Sequence, residues 1–301
     1  MIDLQAQELT VRIDARSSGL AAAVQTGPDQ GPLGHSNLIL LVHGYNNDLE
    51  DARGSYSQFL RNLQAEWQNA RLILPDVFRF YWPGDKSWGP FSFASYPLEI
   101  EPAKKSAKLL AQFVANLSGP GGGLIHLYLI AHSLGSRLVI ELLHALAAAL
   151  SPQVKLAGVC LMAAAVPVSK VQAGGELHEA ALLTRSHILY SPGDSVLHFG
   201  FPLGETVAGD AFWPEAVGRY GRPLAQWSYS KLMMYSSTIK YGHHDYWKKG
   251  ETAQPIAQFL DPSMAKDLPE AELPMHLTPI PNLISTTDIA MRSLPVLPSF
   301  V

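Results

Sequence analysis

Ser133, in the stretch LIAHSLGS at residues 129–136, has the surroundings expected of a nucleophile. A continuous apolar run precedes it and an alanine- and leucine-rich run follows, which predicts a buried strand, a sharp turn and a helix. Ala131 and Gly135 are the small residues that relieve crowding two positions either side of such a turn. The turn raises the hydroxyl above the carboxyl end of a sheet, so we expect a nucleophile; the alternative is that Ser133 only caps the helix.

A serine hydroxyl is activated by a histidine base, which in turn needs an acid to orient it. On a strand–turn–helix scaffold the acid and then the histidine follow the serine along the chain. Asp194 directly follows the short predicted strand 187–190 and is the candidate acid, although its SPGD context also suits an ordinary turn. His243 and His244 lie beyond the last predicted strand; we predict His243, just past a glycine, as the base and keep His244 as the alternate. This chemistry requires no metal ion and no organic cofactor.

The negative charge that develops on a substrate oxygen needs two amide donors. The backbone amide of Leu134 is one candidate, because this residue follows Ser133 and begins the predicted helix. The second is the amide of Tyr45 in the VHGYNN loop, where Gly44 lets the backbone turn closely. We expect His43 to fasten this loop and to take no part in proton transfer.

Aromatic residues crowd the loop 81–97, which follows a predicted strand end on the same side of the sheet. Exposed aromatic residues on a loop indicate a ligand, a partner or a cap. We expect some of them to wall an apolar acyl pocket, with the alternative that they only plug the loop onto the domain; the pocket candidates are Tyr81, Trp82, Trp88 and Phe91. A second candidate wall is the loop 200–225, with Phe199, Phe201, Phe212 and Trp213 in or beside it; its glycines and prolines predict loop with one short helix over 204–225. Both loops are candidates for a cap over the site.

Strands alternate with helices along most of the chain. The predicted strands cover residues 8–15, 19–26, 38–42, 77–82, 124–131, 155–163, 187–190 and part of 227–238, and the predicted helices cover 50–70, 103–117, 134–150 and 252–260. Apolar runs without alternation indicate strands that are buried on both faces of a parallel sheet. The order predicts an α/β domain with right-handed crossovers and with helices on both faces of the sheet.

The composition of this 301-residue chain excludes several classes of protein. With 47% apolar and 16% charged residues it is not a disordered protein. Its net charge of −4 does not indicate a positively charged surface that would bind nucleic acid. A single cysteine excludes an internal disulfide. No apolar run reaches the roughly 20 residues of a membrane span and the amino terminus lacks a signal pattern, so we predict a cytoplasmic protein. Because prolines interrupt every candidate helix after residue 262, we predict a domain of residues 1–262 and a Pro-rich C-terminal tail of 263–301.

Four motifs together resemble those of the α/β-hydrolase superfamily, and most closely its bacterial esterase/lipase-like group known as DUF900. They are LVHGYNN at 41–47, YWPGD at 81–85, IAHSLGS at 130–136 and GHHDYW at 242–247. The resemblance covers residues 36–260 and implies an α/β-hydrolase fold, with a mostly parallel central sheet of about eight strands. It also implies Ser133 as nucleophile, His243 as base, Asp194 as acid, and the amides of Tyr45 and Leu134 as the oxyanion hole. The chain departs from the family pattern at His244, where members usually carry a small residue, and in its Pro-rich tail.

The expected activity is hydrolysis of a small-molecule carboxylic ester with an apolar acyl group, through an acyl-enzyme intermediate. The same three groups also serve thioesterases, acyltransferases and amidases, because the leaving group is selected by details of the pocket. A catalytically inactive binding protein on a hydrolase scaffold is the alternative from a different class. The sequence leaves the oligomeric state open.

Overall fold

Eight strands form one sheet in the described part of the chain. The computed structural model describes residues 6–14, 19–28, 31, 33–45, 47–70, 75–84, 96–148, 150–220, 231–234 and 241–261. The strands are β1 (Ala6–Arg12), β2 (Leu20–Thr26), β3 (Asn37–Val42), β4 (Asp76–Tyr81), β5 (Ile125–His132), β6 (Val154–Met162), β7 (Ser186–Tyr190) and β8 (Lys231–Met234). Their order is β2-β1-β4-β3-β5-β6-β7-β8, and every neighbouring pair is parallel except β1 with β2. The predicted mostly parallel sheet of about eight strands is confirmed.

The helices cover both faces of this sheet. They are α1 (Leu49–Ala70), α2 (Ile100–Ala115), α3 (Leu134–Ala147), α4 (Val168–Val171), α5 (His178–Ala181), α6 (Phe201–Ala208), α7 (Val217–Tyr220) and α8 (Ala253–Leu260). The connection through α1 leads from β3 to β4 in one direction, whereas those through α2 and α3 lead the opposite way across the sheet. Right-handed crossovers therefore place α1 on one face and α2 and α3 on the other. Helix α1 packs against α8, and α2 packs against α3.

The burial of each strand follows its place in the sheet. Residues 38–42 of the central strand β3 are all buried, as their continuous apolar run predicts. Strand β2 lies at the edge, and its side chains are half-buried or exposed. Strands β3 and β5 are parallel neighbours, so the loop after β3 and helix α3 after β5 leave the sheet at the same edge.

Two helices lie within the segment 200–225, which the sequence presents as a loop. Pro202 stands in the first turn of α6, where a missing N–H leaves no hydrogen bond unmade. Gly209 ends the same helix in the left-handed conformation, with φ 69°. The sequence predicts loop with one short helix here, whereas the structure has two helices, because Pro202 and Gly209, which suggest a loop, are the start and stop signals of α6.

The chain separates into a unit of Met1–Leu268 and a unit of Pro269–Val301. All described residues belong to the first unit. The predicted division between residues 262 and 263 stays a prediction, since the tail lies outside the described residues. Within the described part of the chain, no helix is long and apolar enough to cross a bilayer.

Candidate active site

Ser133 lies at a strained turn between β5 and α3. Its φ of 53° and ψ of −127° place it in a region that residues other than glycine rarely adopt. Three backbone hydrogen bonds hold the turn, because the Ser133 amide donates to the carbonyl of Met162 and its carbonyl accepts from the amides of Ala165 and Ser136. The side chain makes no capping hydrogen bond to α3. The interpretation of Ser133 as a mere helix cap therefore does not hold.

Two hydrogen bonds connect Ser133 through a histidine to a buried carboxylate. The Ser133 Oγ lies 2.8 Å from Nε2 of His243, and Nδ1 of the same ring lies 2.8 Å from Oδ2 of Asp194. The second carboxylate oxygen accepts a hydrogen bond of 3.0 Å from the amide of Leu197. Because an ionised carboxylate can only accept, Nδ1 carries the proton and Nε2 is free to accept the serine proton. The arrangement can activate a hydroxyl for attack on a carbonyl carbon.

Of Ser133, His243 and Asp194, only the two that would contact a substrate, Ser133 and His243, are exposed at all. Asp194 is fully buried, whereas Ser133 is 6% and His243 is 7% exposed. A carboxylate in such a dry environment holds the imidazole strongly, since the local dielectric constant is low.

His244 points elsewhere. Its ring stands edge-on to that of His243, with 5.3 Å between the ring centroids. Among the described residues, no hydrogen bond joins His244 to Ser133 or to Asp194. His244 is exposed, yet partial desolvation by its surroundings and the neighbouring His243 lower its pKa below the usual value. Asp245 fastens the turn that carries both histidines, because its Oδ2 accepts a 2.7 Å hydrogen bond from the amide of Gly242.

The loop after β3 passes directly against the serine. A Cβ atom on Gly44 would lie 2.8 Å from Cβ of Ser133, so only glycine allows this approach. The Asn47 side chain holds the loop in place by donating to the carbonyls of Gly44 and Tyr45. The loop thus brings the backbone around Tyr45 close to the same turn that carries Leu134.

His43 holds this loop in place through hydrogen bonds, as the sequence predicts. Its Nδ1 donates to the carbonyl of Gly44 at 2.8 Å, and its Nε2 accepts from the amide of Trp82 at 3.3 Å. The indole N–H of Trp82 returns a hydrogen bond of 2.9 Å to the His43 carbonyl. Burial lowers the pKa of His43 to about 4, so the ring is neutral at neutral pH.

The substrate-pocket candidates take different places. Tyr81 and Trp82 are buried in the core, where Tyr81 contacts Glu8 and Trp82 stacks on His43. This placement argues against the predicted role of these two rings as walls of an acyl pocket. Tyr81 is the last residue of β4 and Trp82 follows it directly, and both side chains are buried like most of the strand. Trp88 and Phe91 lie outside the described residues. In the second candidate wall Phe201 is buried, whereas Phe199, Phe212 and Trp213 are exposed.

His132 is a residue of the site that sequence reasoning missed. Its Nε2–H donates a 2.6 Å hydrogen bond to the backbone carbonyl of His243, which lies 111 positions further along the chain. Burial, together with the nearby His243, lowers the pKa of His132 well below its usual value, so the ring stays neutral. The only sequence signal is its place before Ser133; the partner is visible only in the fold.

A network of charges around the buried Arg137 of α3 was also missed. Arg137, one turn after Ser133, is fully buried, and its guanidinium contacts Glu141 at 2.9 Å, Asp210 at 3.0 Å and Glu176 at 3.3 Å. Lys104 and Lys170 also reach Asp210, at 3.3 Å and 3.2 Å. Paired in this way, the charges are stabilised despite their burial. The network fixes the start of the helix that carries the serine.

Glu205 joins this network to the loop after β3. It accepts a 2.7 Å hydrogen bond from the hydroxyl of Tyr96, and the ring of Tyr96 packs edge-on against Tyr45. Burial raises the pKa of Glu205 to about 7. Besides Glu205, the cations Arg137, Lys104 and Lys170 contact the carboxylates of Glu141, Asp210, Glu176 and, at 3.6 Å from Lys104, Glu101.

We expect Glu205 to make the stability of the fold depend on pH. Between pH 4.5, the ordinary value for this side chain, and about 7, the unfolded chain has lost a proton that the folded chain still holds. The unfolded state then binds fewer protons, so stability falls as pH rises through this window. The variant Glu205→Gln cannot titrate at this position. We therefore compare the free energy of unfolding of wild type with that of the variant: the difference, wild type minus variant, should fall between pH 4.5 and about 7 and stay constant above pH 7. Urea unfolding at a series of pH values measures this, and a constant difference would contradict it.

Gly135 offers a test of the packing around the turn. A Cβ atom at this position would lie 2.2 Å from the carbonyl oxygen of His43, which is backbone and cannot move aside. We expect Gly135→Ala to lower the free energy of unfolding by about 1–3 kcal/mol or more. Gly54→Ala is the matched control: Gly54 lies within α1, and a Cβ atom added there would meet nothing within 4 Å, so the change should stabilise by about 0.5–1 kcal/mol. Urea unfolding measures the free energy of unfolding of both variants. Equal effects of the two substitutions would contradict the close approach of Gly135 to the backbone of His43.

The fold and this site together define an α/β hydrolase. Residues 33–208 match the family of alpha/beta hydrolases of unknown function DUF900, and the chain belongs to that family. No functionally curated protein matches the sequence significantly.

Solved structures with a similar chain include acyl-protein thioesterase 2 from Zea mays, 15% identical over 77% of this chain and 97% of that chain, with a TM-score of 0.41. A putative hydrolase from Agrobacterium vitis S4 is 11% identical over 78% of this chain and 95% of that chain, with a TM-score of 0.43. Alpha/beta hydrolase domain-containing protein 10 from mouse is 13% identical over 76% of this chain and 90% of that chain, with a TM-score of 0.38. Identities this low carry no information on substrate.

Proposed function

We propose that this protein is a serine hydrolase that cleaves carboxylic esters through an acyl-enzyme intermediate. The observation that carries the proposal is the pair of 2.8 Å contacts that join Asp194 to His243 and His243 to the hydroxyl of Ser133. A serine on a strained strand-to-helix turn, with its base and acid supplied in this order by later loops, is the arrangement expected of a nucleophile.

The reaction begins when Nε2 of His243 takes the proton of Ser133 and Oγ attacks the ester carbonyl. The imidazolium that forms is stabilised by Asp194, which keeps the ring in the tautomer with Nδ1 protonated. The tetrahedral intermediate collapses as the alkoxide leaves with the proton from Nε2, and the acyl group stays on Oγ. Water then attacks the acyl-serine with His243 again as base, and the carboxylic acid departs as Oγ regains its proton.

The developing oxyanion would accept hydrogen bonds from the amides of Leu134 and Tyr45. Leu134 is the first residue of α3, where an amide has no partner within its own helix and where the helix dipole favours negative charge. The close approach of Gly44 to Ser133 supports the second donor, since it brings the loop that carries Tyr45 against the turn. Preorganised donors of this kind contribute about 3–4 kcal/mol each to lowering the barrier.

A fluorophosphonate probe, which phosphonylates activated serines, tests the proposal. Wild type should be labelled, Ser133→Ala should not, and Ser136→Ala should be labelled like wild type. The control is matched because Ser136 lies on the same helix and is buried, and its hydroxyl has no hydrogen-bond partner among the described residues. Failure to label the wild type would favour an inactive binding protein on a hydrolase scaffold.

The substrate class needs a panel of esters, thioesters and amides with acyl chains of several lengths. We propose an apolar acyl group, so p-nitrophenyl esters of medium chains should be cleaved faster than the acetate. A flat or falling profile with chain length would contradict the apolar acyl site. Faster turnover of thioesters or amides at equal chain length would overturn the assignment to esters.

A further inference from the structure

The segment 196–213 exposes an unusual amount of apolar surface. Six large apolar side chains in it are more than one third exposed: Val196, Phe199, Leu203, Val207, Phe212 and Trp213. The first four recur at intervals of three or four residues along a helical segment, so they form one outward stripe. Phe212 is 90% exposed and follows the end of α6 by four residues. These six side chains are called the apolar stripe below.

The outward face of this segment carries no acidic or basic side chain apart from His198, which stacks on Phe199. Residues 195–214 contain two carboxylates, Glu205 and Asp210, and no lysine or arginine. Glu205 is fully buried against Tyr96, and Asp210 turns inward to pair with Arg137. The two carboxylates of the segment therefore point toward the interior of the protein, and its solvent-exposed face is apolar.

The backbone holds Trp213 outward at a conformational cost. Its φ of 41° is in the left-handed region, which a bulky residue rarely adopts. Two hydrogen bonds impose this geometry, since the Trp213 amide donates to Oγ1 of Thr206 at 2.8 Å and that hydroxyl donates to the carbonyl of Pro202 at 2.7 Å. A fold that stabilises a strained residue with an exposed indole indicates a use for that exposure.

The apolar stripe is also tied to the candidate active site. It begins two residues after Asp194, whose carbonyl accepts a hydrogen bond of 3.0 Å from the amide of His198. Asp194 itself follows β7, and Ser133 follows β5; parallel strands end at one edge of the sheet. The stripe therefore lies on the elements that leave this edge.

We infer that the apolar stripe docks this protein onto the surface of a neutral, zwitterionic phospholipid layer. Aromatic and aliphatic side chains on one face of a helix, with tryptophan at its end, suit the boundary between headgroups and acyl chains. An anionic surface would need lysine or arginine at the contact, and the segment has none, while the chain as a whole carries a net charge of −4. The inference goes beyond the proposed function, because binding of this kind requires no intact triad.

Sedimentation of the full chain with sucrose-loaded phosphatidylcholine vesicles tests the inference. Ser133→Ala should sediment like wild type, which separates this test from that of the hydrolase activity. The double variant Val207→Ser, Phe212→Ser should partition at least about tenfold less, because it removes the two most exposed apolar side chains of the stripe from the contact. Leu124→Ser is the control: it removes a partly exposed apolar side chain just before the opposite, amino end of β5, and should bind like wild type.

Fluorescence gives an independent measurement. Phosphatidylcholine with brominated acyl chains should quench the emission of wild type, and Trp213→Phe should remove most of that quenching. Raising the salt concentration should leave binding unchanged, since the stripe contributes no cation. Thermal unfolding of each variant confirms that the fold is intact.

Four results would overturn the inference. The first is an absence of sedimentation of wild type with phosphatidylcholine. The second is an equal loss in Leu124→Ser, and the third is binding that requires anionic lipid and weakens with salt. The fourth is a wild-type dimer in light scattering that the double variant converts to monomers without any vesicle binding, which would make the stripe an interface between two copies of the chain.

Discussion

Ser133→Ala should lower kcat for ester hydrolysis by a factor on the order of 10⁴ to 10⁶. The variant loses the oxygen that lies 2.8 Å from Nε2 of His243 and would attack the ester, so no acyl-enzyme can form. The backbone amides of the turn remain, and these account for a residual rate above that of water. Steady-state hydrolysis of a p-nitrophenyl ester, with the variant and wild type at equal folded concentration, measures the effect.

Ser136→Ala controls for the general effect of removing a hydroxyl from α3. Its hydroxyl has no hydrogen-bond partner among the described residues, and its amide, which the substitution preserves, makes the bond to the Ser133 carbonyl. We expect its kcat to stay within a few-fold of wild type. Comparable losses in both variants would show that the measured activity depends on the integrity of the helix, and not on Ser133 as nucleophile.

His243→Ala should cost kcat as much as Ser133→Ala, because residues that act as one unit lose their effect together. His244→Ala should cost less than about tenfold, since this ring meets His243 only edge-on at 5.3 Å. The two substitutions remove the same atoms from adjacent positions, so each is the control for the other. Ester hydrolysis by both variants, and by the variant of Ser133, measures the difference.

Added imidazole distinguishes a missing base from a damaged fold. It should restore part of the activity of His243→Ala, by occupying the space between Asp194 and Ser133, and should leave His244→Ala unchanged. Similar mild losses in both variants, or a larger loss in His244→Ala, would overturn the assignment of His243.

The main architecture was open to prediction from local patterns. The continuous apolar runs of β3 and β5 indicate strands buried on both faces, and their alternation with helical stretches leaves few topologies other than a right-handed, mostly parallel sheet. The turn at Ser133 was predictable for the same reason, since strand, small residues and helix are neighbours in sequence. Gly135 is required there by its close approach to the backbone of His43, and Gly44 by its close approach to Cβ of Ser133.

Long-range contacts were not predictable in this way. His243 and His244 have nearly equal sequence contexts, and only the turn that Asp245 fastens decides which imidazole reaches Ser133. The hydrogen bond from His132 to the carbonyl of His243 joins residues 111 positions apart. The sequence around His132 does not identify this partner. Contacts of this length depend on how whole elements pack, which local periodicity does not describe.

The sequence by itself determined the class of fold, the strand-to-helix turn at Ser133 and the glycine-dependent loop beside it. Only the tertiary structure decided which way side chains of ambiguous type face: Trp82 inward against His43, Arg137 inward among carboxylates, and Trp213 outward. The physical reason is that burial is a property of the packed chain. An aromatic or charged side chain can be accommodated in the interior or at the surface. Which of the two it adopts depends on the packing and hydrogen-bond partners that the fold provides.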